Sequence, residues 1–521
     1  GLGRNANLAD MVIDTVEELI DKPYVNKKAI LKNVVELLHY DGKDLPAETR
    51  QRWEQIKDQL TGNDYSALMR RYVAMDLLED SFDEQGNRVD RVQPHIESLA
   101  RQSVDDLPLL REELPWLVTA EAENGYRFGY ELGKRDQSFA LLPQLLAALR
   151  ESGTKGSSFF VGGYLRAFRE TDENLWEECL DRLAADQHLF VWVPELTWRS
   201  GLTDRAALRI LQLAKAGRLP TQHFHLFRFG GLVRDLSEDA FQQWVEFLLV
   251  SPDTHVVSTA LDLYDFYYMK DKEKSSPPEE LTFRLLTHEA FFRKPDQGKR
   301  DQMDDYHWAT VGKAFVRLYP ASSLALAQVM IRHFGEDDTV LGAFHSPVLT
   351  VLSQILSQKP SETWLLIAAQ LGPPIDSRAF HIKEWLRGGE FYAEGPSGAL
   401  SLVPPEEVWR WVEADVEKRA WYVASFAPPL LFKTPEERCI AREVLIRYGD
   451  REDVRGSLMA NFSTEGWSGP ESLHYEKKKQ GLLDFRKEEE NERVRRWLDE
   501  YVAGLDKQIE QAKVREERED W

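Results

Sequence analysis

Cysteine is nearly absent. Cys179 and Cys439 are the only thiols in 521 residues. A disulfide framework and a four-cysteine zinc site are both excluded, and a reducing compartment, the cytoplasm, is expected. Basic charge is also short, with 66 Lys+Arg against 88 Asp+Glu and a net charge of -22. Phosphate neutralisation needs clustered Lys and Arg, so nucleic acid is not an expected partner. No apolar run approaches the ~20 residues of a membrane-spanning helix, so a membrane is not expected either. Strand-like segments are few. Apolar material is not lacking: 42% of residues are hydrophobic and 11% aromatic, including 15 Trp and 25 Phe. That excludes disorder over most of the chain. At roughly 150 residues per domain, the length allows three or four domains or one repeat array.

Helical periodicity dominates. Leu8, Met11, Val12, Leu19 and Ile20 mark one amphipathic stretch, and Ile30, Leu31, Val34, Val35 and Leu38 a second. Apolar residues three and four apart make a stripe that must face a core. Similar stretches recur to the end, closing on Val494, Trp497, Leu498, Tyr501, Val502, Leu505 and Ile509. Start signals accompany several. Thr434-Pro435-Glu436-Glu437 places an N-cap hydroxyl, a first-turn proline and a third-position glutamate in order, and Ser237 precedes Glu238 and Asp239 in the same manner.

Leu189-Phe190-Val191-Trp192-Val193 is the strongest strand candidate, ended by Pro194. Phe82 to Val89, with Gly86-Asn87 near its turn, reads as a small hairpin. Neither would build a sheet, and the fold class is all-α. Between about 150 and 371, helices pair across short polar turns at a spacing of roughly 30–45 residues, the range of HEAT or armadillo hairpins. One hairpin cannot bury its own apolar face, so neighbours must stack. The expected architecture is an irregular HEAT-like α-solenoid. An N-terminal helical module occupies 1–120, the repeat array 150–371, and C-terminal repeats with a capping helix 400–521. Glycine-rich Asn124 to Gly129 and Gly153 to Ser158 suggest the first change of module.

Motifs of catalysis are missing. No Gly-x-x-x-x-Gly-Lys-[Ser/Thr] occurs, and Gly125, Gly129 and Gly133 lack the strand–turn–helix setting of a dinucleotide fingerprint. No His-Glu-x-x-His or Gly-x-Ser-x-Gly occurs. Neither cysteine has a histidine nearby, and both are read as structural. No cofactor is expected. His223-x-His225, with Asp235 downstream, is the alternative metal or acid/base group, because two imidazoles two apart share a side only in an extended segment. Asp301, Asp304, Asp305 and His307 form a second acid-rich cluster. Its acids fit the positive end of a helix, and Asp304 and His307 share a helix face. Aromatics and arginines offer binding candidates: Trp198, Arg199 and Arg205 around a helix-to-helix turn, and Trp411 at the edge of the Val408-Trp409-Val412 stripe. The competing readings are core packing for Trp411 and a structural ion pair for the arginines.

Two stretches carry a resemblance. Pro194-Glu195-Leu196-Thr197-Trp198-Arg199-Ser200-Gly201-Leu202-Thr203-Asp204-Arg205-Ala206 is one. Gly449-Asp450, Asp453-Val454-Arg455 and Gly466-Trp467-Ser468-Gly469-Pro470-Glu471-Ser472 make the other. They resemble the C-terminal HEAT-like helical-repeat regions of large bacterial multidomain proteins, including STAND-type NTPases of antiviral defence. The resemblance implies that nucleotide hydrolysis or an effector lies before Gly1, and that this portion senses, scaffolds or regulates. A start at Gly1 and not Met fits a piece of a longer polypeptide. The expected function is non-catalytic: a scaffold or sensor surface for a protein partner or for upstream domains of the same chain. The alternative is a helical hydrolase whose site is assembled from distant His and Asp residues.

Overall fold

A computed structural model describes residues 6–76, 80–82, 88–270, 275–292, 302–333, 347–372, 377–389, 397–431, 439–464 and 466–519. About 75% of the chain is helical. The fold is all-α, and the strands among the described residues are β1 (Asp80–Phe82) and β2 (Arg88–Asp90), paired antiparallel with Ser81 opposite Val89. The turn expected at Gly86-Asn87 lies outside the described residues, as does the Thr434 capping box.

Packing groups the chain into two compact units, Gly1–Leu248 and Leu249–Trp521. The sequence places its boundaries elsewhere, at 120–150 and 371–400. The first unit runs α1 (Ala6–Leu19), α2 (Lys27–Tyr40), α3 (Ala47–Thr61), α4 (Tyr65–Tyr72), α5 (Gln93–Asp105), α6 (Leu107–Leu117) and α7 (Gly125–Arg135). It continues with α8 (Leu142–Ser152), α9 (Phe159–Thr171), α10 (Glu173–Ala185), α11 (Val193–Ser200), α12 (Asp204–Lys215) and α13 (Glu238–Leu248). From α4 onward a helix tends to pack on the one two before it: α5, α7, α9 and α11 form one row, α4, α6 and α8 another, and α10 meets α12.

The second unit runs α14 (Thr254–Tyr264), α15 (Glu279–Leu286), α16 (Gln302–Leu318), α17 (Ser323–His333), α18 (Leu349–Gln358), α19 (Pro360–Ala368) and α20 (Ser377–Arg387). Then come α21 (Pro405–Glu413), α22 (Val416–Ala424), α23 (Ile440–Tyr448), α24 (Glu452–Phe462), α25 (Glu471–Glu488) and α26 (Glu492–Glu519). Alternate helices again meet: α14 with α16 and α16 with α18, α17 with α19 and α19 with α21, α22 with α24. The long α26 packs along α25 and on α23, burying Val494, Trp497, Leu498, Tyr501, Leu505 and Ile509.

Polar side chains tie these neighbours together by donating to backbone carbonyls, some in the first turn of a helix and some at its C-terminal end, where carbonyls would otherwise lack donors. Trp244 Nε1 donates to the Ala207 carbonyl (2.9 Å) in the first unit, and Trp497 Nε1 to the Arg455 carbonyl (3.1 Å) in the second. Asn461 Nδ2 reaches the carbonyls of Ala424 (2.9 Å) and Ala427 (2.7 Å). Arg451 Nη1 donates to Val416 (3.2 Å), and Arg493 Nη1 to Ile446 (2.6 Å).

Three local expectations meet the structure directly. Ser237 does cap α13, its Oγ accepting from the Ala240 amide (3.3 Å). The strand expected at Leu189–Val193 is instead a 3₁₀ turn, Phe190–Trp192, feeding α11. Pro194 lies in the first turn of that helix, where a missing N–H costs nothing, so it opens an element that the sequence reading had it close. Finally, Gly125, Gly129 and Gly133 are successive turns of α7 against α9. A Cβ at Gly129 would stand 2.0 Å from the Phe160 carbonyl oxygen, and one at Gly163 would stand 2.0 Å from that of Tyr126. These glycines let two helix backbones touch; they cradle no phosphate.

Candidate functional site: an arginine between aromatic rings, and a buried histidine between carboxylates

The C-terminal end of α11 is held from several sides. Tyr126 Oη donates to the Arg199 carbonyl (3.1 Å), and Arg166 Nη1 to that of Ser200 (3.5 Å). Gly201 follows at φ 138°, with the Arg169 guanidinium where a Cβ would stand. On this fixed end the Arg199 side chain lies across Gly162, whose Cβ position would be 2.8 Å from Arg199 Cβ and Cδ. Its guanidinium carbon sits 3.7 Å over the Phe159 ring and 4.9 Å from that of Trp198. Nε donates to Ser158 Oγ (2.8 Å), which itself donates to Glu195 Oε2. Burial draws the Arg199 pKa down, with the Glu195 charge opposing. Among the described residues, no carboxylate pairs with Arg199.

Around it the surface is aromatic. Phe159 is 41% exposed and Phe229 56%, and Trp198 is half-buried, donating Nε1 to the Phe229 carbonyl (3.4 Å). His225 stands edge-on to Phe229, 5.7 Å between centroids, with Arg228 Nη1 2.9 Å from its Nδ1. Trp198, Arg199 and His225 thus share one patch. His223 is half-buried nearby, and burial lowers the pKa of both histidines. The segment Thr221–Arg228 is a 3₁₀ run, so residues two apart point to different sides. Among the described residues, no three His, Cys, Asp or Glu side chains are placed to hold a metal.

Arg205 opens α12 and pairs with Asp181 of α10. Arg209, one turn on and buried, pairs with Glu177 and reaches Asp181 through Nε (2.7 Å). Trp411 lies in the second unit, half-buried, 5.9 Å from Trp364, with the Arg419 guanidinium 4.9 Å over its ring. Cys179 is buried, which pushes its thiol pKa up to about 11 and leaves it protonated and inert.

The second unit holds a group that sequence reasoning under-read. Asp304 and His307 do share a face of α16, but both are buried. His307 Nδ1 lies 2.8 Å from Asp265 Oδ2, and Nε2 lies 3.5 Å from Asp262 Oδ1. Asp262 belongs to α14, and Asp265 opens the π-helical turn Asp265–Met269 that continues it. Ser258 Oγ donates to Asp304 (2.8 Å), and Lys270 Nζ approaches Asp265 at 3.5 Å. The hydrogen bond to Asp265 raises the His307 pKa above 6.5; burial opposes it, and the charges of Asp262 and Asp265 add to it. The available signal was Leu261-Asp262-Leu263-Tyr264-Asp265-Phe266, two acids three apart in an apolar run. Comparison of the chain with family models, curated proteins and solved structures finds no match.

Proposed function

We propose that the chain is a non-catalytic helical-repeat scaffold. In this reading each unit is an irregular HEAT-like α-solenoid of stacked hairpins, presenting its surface to a protein partner or to further domains of its own polypeptide. The observation that carries the reading is the packing of alternate helices, α5 on α7 on α9 on α11 and α17 on α19 on α21. Stacking of equivalent helices is how hairpins that cannot bury their own apolar faces make a continuous core. The recurrent indole and amide ties from one hairpin to carbonyls of the previous one support it further. The resemblance noted above supports reading such a scaffold as part of a larger bacterial defence protein.

The test is photo-crosslinking in the native cell from a benzophenone residue replacing Phe229. A discrete protein adduct, or a crosslink to another segment of the same polypeptide, is expected. Absence of any protein adduct, with the variant folded, would reject the scaffold reading.

A helical hydrolase is the second reading, and the His307 cluster is the observation that favours it. Both imidazole nitrogens face carboxylates, however, and the side chain is only 10% exposed. A general base needs a nitrogen within reach of a substrate proton. Assays of nucleotide, phosphodiester and peptide hydrolysis with divalent metals are expected to show no turnover. Turnover abolished by His223→Ala, His225→Ala or His307→Gln would favour the hydrolase.

A further inference from the structure

We infer that Arg199 is the anchor of a docking surface for an acidic protein segment, a side-chain carboxylate of the partner entering between Phe159 and Trp198 to meet the guanidinium fork. This rests on the scaffold reading and names the chemistry of the partner.

Arginines of the flanking helices α9 and α12 are already matched. Arg166 pairs with Glu170, Arg169 with Glu173, Arg205 with Asp181, and Arg209 with Glu177. Arg199 is different. Its Nε is fixed by Ser158, one face rests on Phe159, and among the described residues its two terminal nitrogens have no hydrogen-bond partner. A half-buried cation held flat with its fork unoccupied is preorganised for bidentate recognition of a planar carboxylate. The rings partly desolvate it, which strengthens any charge it meets. Exposed Phe159 and Phe229 supply the apolar rim that excludes water around such a contact, the arrangement of an arginine hot spot. Glu195, beyond Ser158, keeps the local balance from being strongly positive. That disfavours the more highly charged backbone of a nucleic acid, which needs several cations along a path.

The probes are two matched peptide libraries, acetyl-Gly-X-Glu-X-Gly amide and its Gln counterpart, with X drawn from aromatic and aliphatic residues. Binding to the full chain is read by anisotropy, beside a single-stranded oligonucleotide of random sequence. The Glu library is expected to give binders at least about tenfold tighter than their Gln twins. Arg199→Lys keeps the stem and charge but loses the fork; it should remove most of that preference while the chain keeps its helical circular dichroism. Phe229→Ala, at an exposed position, should weaken Glu and Gln peptides alike. Equal binding of the two libraries, no peptide binding at millimolar concentration, preference for the oligonucleotide, or an acid preference untouched by Arg199→Lys would each overturn the inference. Crosslinked protein at Phe229 without acid preference would leave the scaffold reading standing and reject this one alone.

Discussion

In the first unit Arg209 is buried between Glu177 and Asp181; in the second His307 is buried between Asp262 and Asp265. Both clusters link alternate helices, α10 to α12 and α14 to α16. The cation differs. A guanidinium stays protonated throughout the accessible pH range, so the first link is permanently charged. An imidazolium holds its charge only while its proton remains, so the second link depends on pH. The acids differ as well. Arg205 adds a second cation to the first cluster. The second faces three buried carboxylates, counting Asp304, with one imidazole and the partly exposed Lys270. One packing scheme thus uses two electrostatic solutions, and only one can respond to its surroundings.

The largest expected effects test the permanent links. Arg209→Met should cost about 3–5 kcal/mol, because removing one partner leaves buried Glu177 uncompensated. The loss should be the same at neutral and mildly alkaline pH. Hydrogen exchange of α10 and α12 amides, corrected for intrinsic rates, would check both statements. An effect below about 1 kcal/mol would mean that water reaches the pair. Trp497→Ala is a charge-free control in the second unit. Trp497 is fully buried, stacks on Tyr501 at 5.0 Å and bonds the Arg455 carbonyl. Its removal should cost about 3–5 kcal/mol through lost burial and a cavity, again with no pH dependence. Unchanged melting of that variant would mean that α26 contributes little to the second unit.

The helices were legible because their cause is local. The spacing of Val494, Trp497, Tyr501 and Leu505 carries its own stripe, and Ser237 carries its own cap. The ion pair of Arg205 was also within reach, since an arginine at a helix start beside another hairpin has few other uses. The clusters were not. His307 meets acids more than 40 residues upstream, and nothing in its own neighbourhood separates a dipole-favouring acid run from a buried clamp. The role of the α7 glycines was hidden for a related reason. Three glycines four apart do not disclose a close helix contact until the second helix, with Gly163, is set against them. Tertiary partners decide such residues, and one sequence does not disclose partners.

The smaller effects concern the proton itself. His307 has a folded pKa raised above its ordinary 6.5. A raised value means that the folded state binds the proton more tightly than the unfolded one. The resulting stability is complete below the unfolded pKa and fades as pH rises through the folded value. The second unit should therefore loosen as pH rises above the ordinary imidazole value of 6.5 while the first does not, seen as earlier exchange in α14 and α16 than in α10 and α12. His307→Gln sharpens the point. The amide can still donate to Asp265 but brings no charge, so the variant should lose about 1–3 kcal/mol at slightly acid pH. That deficit should shrink as pH rises, because the wild-type protein then sheds the same charge. Lys270, the other cation near Asp265, is the same in both proteins. A deficit that stays constant from about pH 6 to about pH 9 would mean that His307 contributes shape and hydrogen bonding only. The contrast with Arg209 would then be one of geometry and not of charge.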